Sequence, residues 1–304
     1  MEQHTPVLLR EVCIQFEGVV NAKKSIVAVD CTLGQGGHSY ELFKRLKYGV
    51  LISIDLHSDS IEWVRSHYGL NPSHAYPGVY EKIQEHKCWY VLEQDFAEIE
   101  QVIKLFKLAR VDFILADLGF SNYELSSDLG ISFERPDQPL DMRYTNNATL
   151  QAKDVLNTFS HEALREVLQL HGDMQDSGKL ARKIVAYRSH RLFQKVGDLL
   201  ALFNRSSFPE STRIKLFQAL RSYINEEPDK LNALVTKVPQ LVHPSGEANI
   251  ITFNSLEASL VRSSLYPLSS REVNIAEMIR NPQSRSATLY IYKKESNARG
   301  SEAE

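Results

Sequence analysis

The run Ser25-Ile26-Val27-Ala28-Val29-Asp30 passes directly into Cys31-Thr32-Leu33-Gly34-Gln35-Gly36-Gly37-His38-Ser39, and the reading of this stretch decides the fold. A short apolar run that ends in aspartate and breaks into closely spaced glycines predicts a buried strand turning into a helix. Glycines at such a junction allow a tight turn and let a ligand lie against bare backbone at the helix N-terminus. Three further runs end in the same way: VLISID at 50–55, WYVLEQD at 89–95 and VDFILAD at 111–117. Helical patterns over 37–47 and 98–108 lie between them. The alternation predicts an α/β fold with a parallel sheet. Ligands of such sheets sit outside the carboxyl ends of the strands, where Asp30, Asp55, Asp95 and Asp117 fall. Aspartate also serves there as a plain helix N-cap, and for any one of the four alone the two readings balance.

The spacing of the glycines narrows the ligand. A dinucleotide fingerprint requires G-x-G-x-x-G, whereas Gly34, Gly36 and Gly37 are followed by His38 and Ser39, which disfavours NAD. No Gly-Lys-Ser/Thr follows, so a phosphate-binding P-loop is excluded. Asp55, ending the second run, is placed to accept hydrogen bonds from both hydroxyls of a ribose. S-adenosylmethionine fits this combination: it carries a ribose and an adenine but no phosphate, so it needs no lysine or arginine clamp. The alternative is an ordinary strand-to-helix turn without a ligand.

Composition sets the outer limits. At 304 residues and 43% hydrophobic content, the chain predicts one large domain with an insertion, or two domains, around a substantial core. No apolar run is long enough to span a membrane, and the opening MEQHTPVLLREV has neither a signal-peptide nor a transit-peptide pattern, which predicts a cytoplasmic protein. Cys13, Cys31 and Cys88 have no paired spacing, so neither a metal site nor a disulfide framework is expected. A net charge of -3 argues against indiscriminate nucleic-acid binding and leaves room for a local basic face. From residue 129 the strand alternation stops and helical spacing appears at 154–170 and 179–188, predicting an inserted helical subdomain over 129–212 between core segments 1–128 and 213–304. The insert carries Lys179, Arg182, Lys183, Arg188, His190, Arg191 and Lys195, with Arg213, Lys215 and Arg221 after it. Charge alone reads more readily as a solvated helix than as an RNA surface. A helix over 212–225 and strands over 248–253 and 287–293 would complete the core.

The segment ADLGFSNYELSSDLGISFERPDQPLDMRY, residues 116–144, brings in a family. Its Asp117-Leu118-Gly119, Phe133 and Pro139-Leu140-Asp141-Met142-Arg143 are similar to the central signature of the bacterial ribosomal small-subunit RNA methyltransferase H family. The resemblance extends to His4-Thr5-Pro6-Val7-Leu8-Leu9, to the glycine loop, to Phe217-Gln218-Ala219-Leu220-Arg221 with Asn225-Glu226, to Ser255-Leu256-Glu257, and to Asn281-Pro282 with Arg285-Ser286-Ala287. It implies a class I S-adenosylmethionine-dependent methyltransferase with a Rossmann-like sheet and an inserted all-helical subdomain facing RNA. The implied reaction methylates N4 of a cytidine in 16S rRNA of the small ribosomal subunit, without metal or membrane, and a homodimer stays open. Carried over by position, the Gly34-Gly36-Gly37-His38 loop would hold the cofactor, with Asp55 on its ribose, Phe96 on its adenine face and Asp117 near its methionine moiety. Asp117 is also the catalytic candidate, and Glu124 occupies the place of a cofactor-contacting glutamine. No carboxylate partner for His38 is visible in the sequence.

Five departures mark a divergent member. Cys31 and Glu124 replace the usual glycine and glutamine, Asn254 stands where the family has histidine, and His171-Gly172-Asp173-Met174 replaces a Tyr-Gly-Glu-Glu pattern. Residues 71–78 form a loop longer than usual. Loss of the histidine removes proton transfer near neutral pH but keeps hydrogen bonding. Two other functions stay open at this level: a non-catalytic RNA- or ribosome-binding homologue, and a methyltransferase acting on another RNA or a small amine.

Overall fold

The computed structural model describes residues 5–119, 128–145, 148–204, 208–266 and 268–295. The chain divides into two compact units, Met1–Gly119 with Lys230–Glu304 and Phe120–Asp229.

In the first unit, helices α1 (Leu9–Ala22), α2 (Gly37–Arg45), α3 (Ser58–Tyr68) and α4 (Ile99–Leu105) accompany a sheet. Its strands among the described residues are β1 (Ile26–Asp30), β2 (Gly49–Asp55), β3 (Asn71–Pro72), β4 (Val79–Gln84), β5 (Lys87–Glu93), β6 (Val111–Asp117), β7 (Val242–Thr252), β8 (Leu268–Glu272) and β9 (Thr288–Lys293). They lie in the order β3-β4-β5-β2-β1-β6-β7-β9-β8. The central five pair in parallel, whereas β4, β8 and β9 pair antiparallel at the two margins. Read along the chain, β5-β2-β1-β6-β7 is the 3-2-1-4-5 order of a Rossmann-like doubly wound sheet, and its switch point lies between β1 and β6. The uninterrupted apolar runs of the central strands follow from burial on both faces. Val29, Ile52, Ile54, Ile114 and Ile250 face the helix Glu227–Leu241 and α4, while Ala28, Leu51, Phe113, Leu115 and Ile251 face α1, α2 and α3.

Two elements depart from the sequence reading. Of the stretch 71–78 read as a long loop, Asn71 and Pro72 pair as β3 with β4, and the rest turns into β4, a strand absent from the sequence reading that pairs along its whole length with β5. Its VYEKIQ is half-exposed at a sheet margin, so it lacks the apolar continuity that marks the central strands. Asp95 lies beyond the end of β5, where its carboxylate caps the turn Phe96–Glu98 by accepting from the Ala97 N–H.

The second unit is helical among its described residues, with α5 (Ala152–Thr158), α6 (His161–Gly172), α7 (Ser177–Arg188), α8 (Val196–Leu200) and α9 (Glu210–Ile224). Its core joins Leu164, Leu168, Leu180, Ile184 and Phe193 to Leu216, Phe217, Leu220 and Ile224. Helix α9, expected in the sheet domain, therefore belongs to this unit, because its apolar face is buried against the insert's own helices. The compact unit correspondingly runs to Asp229, where the sequence suggested an end at 212.

Candidate active site

The glycine loop is stitched across the switch point. The Cys31 N–H donates to the Leu115 carbonyl of β6 at 2.8 Å, and the Leu33 N–H to the Ile54 carbonyl of β2 at 2.9 Å. Gly34 (φ 50°) and Gly36 (φ 74°) occupy the left-handed region, which glycine enters without steric cost, and Gly36 leads into α2. The bareness of Gly36 and Gly37 has a source inside the chain. A Cβ at Gly36 would stand 2.9 Å from Cε2 of Tyr68, and one at Gly37 only 2.4 Å from Cγ of Pro6. Both glycines are thus required by intramolecular packing, whatever lies against their backbone.

Asp55, at the end of β2, is braced by the same loop. Its Oδ2 accepts from the Gly34 N–H at 2.7 Å and its Oδ1 from the His57 N–H at 2.9 Å. Phe96, on the next turn of the same sheet edge, is half-buried with its ring packed against the core.

The last of the strand-terminal acids, Asp117, ends β6. Its backbone N–H donates to Thr32 Oγ1 at 2.7 Å, which ties the loop to this strand. Its Oδ1 is buried and has no hydrogen-bond partner among the described residues, and its Oδ2 lies 3.4 Å from Nε2 of His38. His38 is 5% exposed, and neither ring nitrogen makes a well-aligned hydrogen bond. The contact therefore has the separation of an ion pair, charged when the ring is protonated, and not the alignment of a hydrogen bond. Burial, the largest single influence, disfavours the charged ring, but Asp117, the Asp30 charge and the Val7 backbone outweigh it, so the pKa of His38 is raised. This corrects the sequence reading, which found no carboxylate for His38; the partner is remote in sequence and arrives because β1 and β6 are neighbours.

Asp30 has a different environment. It is fully buried and accepts from Ser39 Oγ at 2.6 Å and from the Thr32 N–H at 3.1 Å. Ser39 Oγ shares a hydrogen bond with Ser53 Oγ at 2.6 Å, and Trp89 Nε1 donates to Ser53 Oγ at 2.8 Å. Burial raises the Asp30 pKa, opposed by these hydrogen bonds. Among the described residues, no cluster of His, Cys, Asp and Glu suited to a metal ion exists, and no helix is long and apolar enough to cross a membrane.

The profile of the MraW methylase family matches residues 1–278. The chain belongs to this family. It is 33% identical over 311 residues to the ribosomal RNA small subunit methyltransferase H of Dictyoglomus thermophilum, covering 97% of this chain and 98% of the relative. It is 28% identical over 317 residues to the protein of the same name from Mycoplasma mobile, covering 96% and 97%. Among solved structures it is similar to an rRNA methylase from Streptococcus thermophilus, with a TM-score of 0.44 and 7% identity over 97% of this chain and 99% of that one.

Several residues differ in role from what charge or position suggested. Asn254 is a helix cap: its Oδ1 accepts from the Glu257 N–H at 2.9 Å and its Nδ2 donates to Glu257 Oε1 at 2.6 Å. Glu257 Oε2 in turn accepts from the Phe253 N–H at 2.7 Å, which secures the start of the helix Ser255–Ser264. Glu124 lies outside the described residues. In the second unit much of the expected basic surface is engaged internally. Arg221 is buried and paired with Glu227, Arg188 donates to the carbonyls of Leu156 and Phe159, and Arg191 pairs with Asp198. Lys215 donates to the Asp173 carbonyl, and Arg213 pairs with Glu210. Asn225 links two of the signature blocks by donating to the Met142 carbonyl at 2.8 Å and accepting from the Tyr144 N–H at 2.8 Å. These blocks hold each other in place, a structural duty that the motif alone does not reveal.

Proposed function

We propose that the chain is an S-adenosylmethionine-dependent methyltransferase of small-subunit ribosomal RNA and that its acceptor is the exocyclic N4 amine of a 16S cytidine. The observation that carries this reading is Asp117: a carboxylate at the switch point of the sheet, beside the glycine loop, with a buried oxygen that has no hydrogen-bond partner among the described residues. The residues fit the cofactor. Gly34, His38, Asp55, Phe96 and Asp117 include two carboxylates and no lysine or arginine, which suits a ligand with cationic groups, a ribose and no phosphate. When bound, S-adenosylmethionine supplies an electrophilic methyl group. Asp55 receives the ribose hydroxyls, Phe96 offers its ring face to adenine, and the loop backbone from Gly34 to His38 lines the methionine side.

The amine of cytosine is a poor nucleophile because its lone pair is delocalised into the ring. Holding it in line with the methyl group therefore supplies much of the rate. Asp117 Oδ1 accepts a hydrogen bond from the amine, which orients it and favours the positive charge that develops on nitrogen as the new bond forms. The base must be single-stranded or flipped out, since pairing occupies the amine. On the second unit, the outer stripe of Lys179, Arg182, Lys183 and His190 along α7 and its end is the face offered to RNA phosphates. The protein acts in the cytoplasm on the small subunit.

The test is transfer of labelled methyl from S-adenosylmethionine to small subunits from cells lacking this protein, with free rRNA in parallel. Label recovered as N4-methylcytidine is the expected result. Cofactor binding without label on either substrate would overturn the assignment of the acceptor.

A further inference from the structure

Among the buried groups, His38 has the least explained environment. An imidazole removed from water normally satisfies at least one nitrogen, and leaving both unsatisfied costs free energy. Here neither nitrogen makes a well-aligned hydrogen bond among the described residues: the Val7 backbone and Oδ2 of Asp117, at 3.4 Å, both favour the charged ring from imperfect positions. Three groups face the ring: Asp117 from β6, Asp30 from β1, and the Val7 backbone just before α1. Asp30 is already committed to Ser39 and Thr32, so Asp117 is the partner with capacity to spare. The ring is also locked in place. It follows Gly37, which packs against Pro6, and precedes Ser39, which is bonded to Asp30.

We propose that His38 is a positioning residue for methyl transfer: as an imidazolium it holds Oδ2 of Asp117 by charge, so that Oδ1 is presented to the acceptor amine. This rests on the reading that Asp117 faces that amine. Oδ1 of Asp117 is buried, so a counter-charge beside the other oxygen offsets the cost of holding charge there away from water. His38 supplies that counter-charge from a side where it does not occupy Oδ1. The raised pKa of His38 has the direction such a pair requires.

The sign of the pH effect follows. A histidine whose folded pKa is raised contributes stability that is fully present below its unfolded value, near 6.5, and is lost as pH rises through the folded value. Turnover should fall over the same interval, as Asp117 loses its counter-charge.

Two measurements test the proposal on the full chain. The first is titration of the His38 ring by NMR without cofactor, its signals assigned by their loss in His38→Gln. Wild type should titrate above the ordinary value, and Asp117→Asn should bring the His38 pKa down. An unchanged His38 pKa in Asp117→Asn overturns the pairing. The second is the pH profile of kcat at saturating cofactor and RNA. His38→Gln should lower kcat on the order of 10- to 100-fold, with much smaller changes in KM, and lack the alkaline decline seen in wild type. A variant that keeps that decline at the same pH overturns the positioning role. Wild type that binds cofactor but methylates no RNA would count against the proposed function, while the NMR titration would still decide the pair.

Discussion

Substituting alanine at Gly37 separates two reasons for a bare backbone in the glycine loop. Position 37 opens α2 and lies outside the left-handed region, so Gly→Ala at that backbone conformation should by itself stabilise by about 0.4–1 kcal/mol. Against this, the new Cβ would sit 2.4 Å from Cγ and 3.3 Å from Cδ of Pro6, a rigid ring, and such overpacking costs about 1–3 kcal/mol. Gly37→Ala should therefore lose about 1–2 kcal/mol net in the wild-type background. Pro6→Ala deletes both offending atoms and leaves only Cβ, at 3.8 Å, an ordinary contact. In that background the same substitution should become stabilising by about 0.4–1 kcal/mol, a reversal of sign. Urea unfolding followed by tryptophan fluorescence is the assay, since both tryptophans, Trp63 and Trp89, lie in the sheet unit. An equal cost of Gly37→Ala in both backgrounds would refute the packing argument. Calorimetric titration with S-adenosylmethionine then asks about the ligand. If the double variant binds as wild type, the glycine serves Pro6; if it folds but does not bind, the ligand itself needs the missing Cβ.

Asp55→Ala leaves the Gly34 and His57 N–H groups without this acceptor and should cost about 1–3 kcal/mol of stability together with a large loss of cofactor affinity. Unchanged affinity by calorimetry would remove the ribose role. Asn254→Ala should cost about 1 kcal/mol, the usual value of a lost N-cap, while methyl transfer per folded molecule stays near wild type. A collapse of turnover in a folded Asn254→Ala protein would return a chemical role to that position.

What the sequence reveals depends on how local the cause is. The central strands are legible because burial on both faces writes itself as unbroken runs such as IVAVD and FILAD. The margin strand VYEKIQ carries no such record, because half of its environment is solvent. Asn254 was legible in principle: Asn254-Ser255-Leu256-Glu257 has the spacing of a capping box, and resemblance to a histidine-bearing pattern drew attention to chemistry instead. The basic residues of the insert were not legible. A count of lysines and arginines does not show that Arg188 is spent on the carbonyls of Leu156 and Phe159, or that Arg221 is buried on Glu227. The ion pair of His38 with Asp117 was hidden for a similar reason, since only the order of the strands brings the two together.

The four strand-terminal aspartates, indistinguishable in sequence, separate by what their oxygens do. Asp95 is a cap: it accepts from Ala97, pairs with Lys230 and ends its part there. Asp30 is an internal brace, its oxygens taken by Ser39 and Thr32 in a chain that continues through Ser53 to Trp89. Asp55 braces the loop, accepting from the Gly34 N–H with one oxygen and the His57 N–H with the other. Of the four, Asp117 alone has an oxygen both buried and without a partner among the described residues, a condition that costs about 1–3 kcal/mol or more for a charged group. Folding alone gives no reason to keep that cost, whereas Thr32 and Ser39 show that the same loop can satisfy a carboxylate when structure requires it. The unanswered oxygen is therefore best explained by a donor that arrives from outside the chain, and an exocyclic amine, which carries two N–H groups, is such a donor.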